Sequence, residues 1–135
     1  MPIDEASVLA AADELLMRQV HPNMMQEGRP SSGTFTPTQA DQGHLSADRE
    51  TIISPKEAYE RYLLAKTLES AGGTWGVSIN EFNAAGLICY SDPIETNAAH
   101  ALVDFASHGA NREKALGKLI YAKAYARGRL HPPQE

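Results

Sequence analysis

Cys89 is the single cysteine among 135 residues, which excludes an intramolecular disulfide and any Cys-x-x-Cys metal or redox site. No apolar run approaches the roughly 18 residues that a membrane-spanning helix needs. The five histidines, His21, His44, His100, His108 and His131, include no pair three or four residues apart, the spacing that builds a zinc-binding helix face. No metal and no cofactor is therefore expected. No serine lies in a Gly-x-Ser-x-Gly elbow, and Gly72-Gly73 precedes a predicted strand, the wrong order for a phosphate-binding loop. The first residues, Met1-Pro2-Ile3-Asp4-Glu5, carry acids where a secretory leader carries bases. Cys89 sits in the apolar run Gly86-Leu87-Ile88-Cys89-Tyr90, the setting of a buried thiol. A soluble, cytoplasmic protein with no membrane association is expected.

At 42% hydrophobic residues, the chain has the size and content of one domain, residues 1–135, able to bury a core without staples. The formal net charge of −5 argues against a general affinity for nucleic acid or anionic membrane. Its distribution is uneven. Asp4, Glu5, Asp13 and Glu14 precede the first base, whereas Arg112, Lys114, Lys118, Lys123, Arg127 and Arg129 crowd the other end.

Val8, Ala12, Leu15 and Leu16 recur at helical spacing, predicting an amphipathic helix over 5–17 with Asp4 as its cap and a break near Met17 or Arg18. From 22 to 51 the chain is dense in Pro, Gly, Ser and Thr, which predicts a long ordered polar loop pinned by Phe35 and Leu45, with a short strand near 34–36. Ser54-Pro55-Lys56-Glu57 is a helix start, because Ser caps, Pro suits the first position and Glu bonds back. That helix is expected to pass Leu68 and stop at Gly72-Gly73. A strand with Trp75, Val77 and Ile79 on one face follows, then a capping box at Ser78-Ile79-Asn80-Glu81 that opens a short helix to Ala85. Strands are predicted at 87–90 and 99–105. A final helix over 111–127 places Ala115, Leu119, Ala122 and Ala126 inward, before a tail over 130–135. Together these elements predict an α+β fold: a small, mostly antiparallel sheet of three to four short strands, helices packed on one face, and the long polar loop.

Arg18, Gln19 and His21 gather where the loop begins, and Asp41, His44, Ser46 and Asp48 where it ends. If the loop closes on itself, Arg18 can meet an anion, His21 or His44 can move a proton, and Asp41 can orient the imidazole. Ser32, Phe35, Ser46 and His100 complete the expected binding surface. Purely structural roles compete with this: Arg18 pairing with an acid, His21 capping a turn, and Asp41 and Ser46 satisfying loop amides. On the last helix Lys114, Lys118, Tyr121, Tyr125 and Arg129 form one stripe of cations and rings that suits an anion or nucleic acid. The competing role there is packing by the tyrosines while the bases snorkel.

The phrases Arg18-Gln19-Val20-His21-Pro22, Phe35-x-Pro37, Asp41-x-Gly43-x-Leu45-Ser46 and Ala99-His100-Ala101-x-Val103-Asp104-Phe105 resemble a family of small uncharacterised bacterial proteins, over residues 18–129. That resemblance implies no activity and transfers no catalytic residue. An arginine on a first strand followed by a hydroxyl-rich segment is also similar to ADP-ribosyltransferases, whose later glutamate motif has no counterpart here.

Three functions follow as expectations. The first is binding of a protein partner, as an accessory or immunity-like component, through residues 18–48 and the His100 strand. The second is an enzyme acting on a phosphorylated or nucleotide substrate, with nucleic-acid binding by the last helix as a third. A concave pocket that gathers the polar groups separates the second from the first.

Overall fold

The computed structural model describes residues 7–38 and 42–133. It is α+β, a five-stranded antiparallel sheet with three helices. The strands of the sheet are β1 (Leu15–Gln19), β4 (His44–Arg49), β5 (Thr74–Ser78), β6 (Ile88–Ser91) and β7 (His100–Asp104), in spatial order β5-β1-β4-β7-β6. A separate hairpin pairs β2 (Met25–Gln26) with β3 (Arg29–Pro30) across Glu27-Gly28, both at positive φ as a two-residue hairpin turn requires.

Residues 15–17 form a strand where a helix was expected. Leu16 and Met17 are both fully buried, so β1 is covered on both faces and its apolar residues run consecutively instead of alternating. That run also satisfies a helical period, and pairing with β4 on one side and β5 on the other decides between them. Residues 7–14 cover edges and ends instead of forming a helix. Val8 bridges to Tyr90, Leu9 N–H donates to Cys89 O, and the carbonyls of Ala12 and Glu14 accept from Asn80 and Ile79. The opposite edge, β5, is covered by Leu130 and His131, which exchange backbone bonds with Thr74. Both sheet edges are thereby shielded from strand addition.

The stretch 22–51 is likewise structured. It contains the β2–β3 hairpin, 3-10 turns at Pro22–Met24 and Ser32–Phe35 in place of the expected strand, and β4 in the middle of the sheet. Phe35 and Leu45, both within it, are buried.

Ser54 caps α1 (Pro55–Lys66) by accepting from Glu57 N–H, and the helix ends at Thr67 in the left-handed conformation, earlier than the glycines. Ser78 and Glu81 form the reciprocal capping box of α2 (Ile79–Ala84). On α3 (Ala110–Arg127) the inward residues are Leu116, Ile120 and Ala124. Ala115, Leu119, Ala122 and Ala126 are exposed, so the inward face is displaced from the expected one. Gly117 explains the choice: Thr36 and Phe35 approach it so closely that a Cβ there would lie 2.9 Å from Thr36 Cβ.

Helices occupy both faces of the sheet. Leu16, Val20, Leu45 and Val103 share a core with α2 and α3, whereas Met17, of opposite parity on β1, packs with Ala58 of α1. No helix among the described residues is long and apolar enough to cross a membrane.

Candidate functional site

β1 and β4 pair at Leu16–Arg49 and Met17–Asp48, while β1 continues along β5 to Gln19–Thr74 and β4 along β7 to His44–Asp104. Beyond Met17 the two central strands therefore part. Arg18 fills the split. Its Nε donates to Thr34 O at 2.7 Å and its Nη1 to Ser46 O at 2.6 Å, so the guanidinium replaces the missing ladder and ties the Ser32–Phe35 turn to β4.

A cleft of about 480 Å³ opens at this split. Met17 to His21 and Met24 line one side, Ser46 to Asp48 and His100 another, and Thr34, Thr36, Thr38, Tyr62 and Lys66 complete the wall. Tyr62 and Lys66 are one helical turn apart on α1 and so share a face. Burial pushes the Tyr62 phenol above its ordinary value, partly offset by the nearby Arg18 charge.

His21 caps the Pro22–Met24 turn, its Nδ1 accepting from Asn23 N–H at 3.1 Å. His100 stands opposite Asp48 in the β4–β7 ladder, with its Nδ1 3.0 Å from both Asp92 O and Asp92 Oδ2. Asp48 accepts from Asn97 Nδ2 at 2.6 Å. Two buried side-chain atoms at the cleft wall, Gln19 Nε2 and Thr34 Oγ1, have no hydrogen-bond partner among the described residues. Thr74 Oγ1 reaches Gln19 Oε1 at 3.0 Å and Pro55 O at 3.1 Å. Reversing the Gln19 amide would only transfer the deficit from its nitrogen to its oxygen. Buried polar groups are nearly always satisfied, so these two atoms at the cleft wall have bonding capacity for a water or a ligand.

Arg18, His21, Ser46 and His100 are thus brought together at the cleft. His44 is not: it lies at the start of β4, its Nε2 3.9 Å from Asp104 Oδ1, and Asp104 also accepts from Ser107. Ser32 is exposed on its turn and Phe35 is in the core. Asp41 lies outside the described residues. Of the α3 stripe, Lys114 and Lys118 are exposed, while Tyr121 donates to Pro30 O and Tyr125 stacks between Tyr121 and Trp75. Arg129 Nε donates to Pro132 O. None of these five lines the cleft. Asp92, Asn97, Tyr62 and Lys66 were not marked by sequence. Only the Tyr62–Lys66 spacing could have signalled a shared face.

Comparison with family models, with curated proteins and with solved structures finds no match. Among the described residues no group of three or more His, Cys, Asp or Glu could hold a metal ion. Cys89 is buried, and that burial, with a smaller effect of the Glu14 charge, pushes its thiol up to about 12, so it is not a nucleophile at neutral pH. What the cleft offers is Arg18, Lys66 and threonine hydroxyls beside one carboxylate, Asp48, with Met17, Val20, Met24 and Ala47 as apolar lining.

Proposed function

We propose that this protein binds a small phosphate-bearing molecule in the cleft between β1 and β4. The observation that carries the reading is the convergence of Arg18, Lys66 and His21 on one concavity, where Asp48, the one carboxylate of the wall, has its Oδ1 bonded by Asn97 Nδ2. A phosphate ester presents several acceptor oxygens and negative charge, which suits cationic and hydroxyl donors set at different angles around it. The volume falls in the range of small-ligand sites.

Calorimetric titration with inorganic phosphate and pyrophosphate tests the reading. Saturable binding is expected, weakened about threefold to tenfold by Lys66→Glu, an exposed position whose charge reversal leaves the core intact. No saturable heat with either anion, or an unchanged affinity in the variant, would overturn it.

A protein partner is the second reading, and one observation favours it. Beyond the cleft the same sheet face continues over Leu102, Tyr90 and Ile88, the last 46% exposed. Leu102→Asp would abolish binding to such a partner and leave phosphate binding unchanged.

A further inference from the structure

We infer that the two histidines of the cleft stand in opposite tautomers, and that the ligand is accordingly a hydroxylated phosphate ester. The inference rests on the phosphate reading and narrows it. His21 Nδ1 accepts from Asn23 N–H, so that nitrogen carries the lone pair and the neutral ring holds its proton at Nε2. His100 Nδ1 faces two acceptors, Asp92 O and Asp92 Oδ2, and only an N–H there avoids lone-pair repulsion. Its neutral ring therefore keeps the lone pair at Nε2. Each tautomer is assigned by the partner the backbone or carboxylate provides.

Both rings line the cleft, and the nitrogen each leaves over is Nε2, an N–H donor on His21 and an acceptor on His100. The remaining polar wall is rich in donors: the Arg18 guanidinium, the Lys66 ammonium and the hydroxyls of Thr34, Thr36 and Thr38. Asp48, the one carboxylate of the wall, has its Oδ1 bonded by Asn97 Nδ2 and stands opposite His100 in the ladder. A simple phosphate satisfies the donors and leaves His100 Nε2 unmatched. A ligand with a hydroxyl on a short carbon skeleton satisfies both, its O–H donating to His100 and its carbons lying against Val20, Met24 and Tyr62.

Titration of the intact protein with glycerol 3-phosphate and with propyl phosphate, which lacks the hydroxyls, tests the ligand class. Glycerol 3-phosphate is expected to bind about threefold to tenfold more tightly, the worth of one hydrogen bond. His100→Phe should erase that preference and leave propyl phosphate affinity unchanged. Equal binding of the two esters overturns the hydroxyl assignment while the phosphate reading survives. Failure of both esters and of inorganic phosphate overturns the phosphate reading and the ligand class with it. Independently of any ligand or variant, long-range proton–nitrogen NMR of the unliganded protein, with both rings in the neutral form, should show the proton on Nε2 of His21 and on Nδ1 of His100. The reverse arrangement at His100 overturns the inference.

Discussion

Arg18 on β1 and Ser46 on β4 are joined by a 2.6 Å bond from guanidinium to carbonyl, at the point where backbone pairing between the two central strands has ceased. A side chain thus does the bonding that the ladder does elsewhere, and the space it props open is the cleft. Structure and site are coupled through this one residue.

Arg18→Met removes both bonds and leaves the carbonyls of Thr34 and Ser46 to find other donors. Bonds from charged donors are worth about 1.5–3 kcal/mol each, with part recovered by water, so a loss of about 2 kcal/mol is expected in urea unfolding. Arg18→Lys should fall between, since an ammonium cannot reproduce the forked geometry that serves two carbonyls at once. Wild-type stability in Arg18→Met would show that the split is held by other contacts.

Gly117 is the second support of the cleft wall, because it admits the Phe35–Thr36 backbone against α3. In Gly117→Ala the new methyl would lie 2.9 Å from Thr36 Cβ and 3.1 Å from Phe35 O. An exposed helical glycine gains about 1 kcal/mol on becoming alanine, but overpacking here should cost about 1–3 kcal/mol and displace the turn. Net destabilisation with weaker phosphate binding is expected; a more stable variant would contradict the close approach.

Acid sensitivity should come from two ion pairs outside the cleft. Burial alone would push the Glu14 carboxyl up, but bonds from Arg49 and Thr51 and the Arg49 charge outweigh it and hold it below the ordinary 4.5. Glu81 is lowered in the same balance, by Arg127 and by the Ser78 cap bonds. A carboxyl lowered on folding contributes stability that is complete above its unfolded value and is lost as pH falls through the folded one. Thermal stability should therefore decline below about pH 4.5, and Glu14→Gln should flatten that decline. An acid limb unchanged by both Glu14→Gln and Glu81→Gln would place the sensitivity elsewhere.

The parts of this fold that are legible in the sequence are those whose cause is local. Ser54 and Ser78 announce their helices because capping is decided within four residues. Leu15 to Met17 misleads because a doubly covered strand loses the alternation that marks strands, and the partners that cover it lie more than 25 residues away. On α3 the inward face depends on Gly117 meeting Thr36, a contact that neither segment reveals alone. The site divides in the same way. Arg18 and His21 stand out beside an irregular stretch, whereas Asp92 at His100 and Lys66 at the rim depend on strand register and helix placement.

The most direct test of the account is an amide and side-chain NMR titration with inorganic phosphate. Shifts confined to the cleft, at Arg18, His21, Thr34, Thr36 and Lys66, are the predicted result. Shifts at Lys114 and Lys118 on α3 with the cleft silent would contradict it.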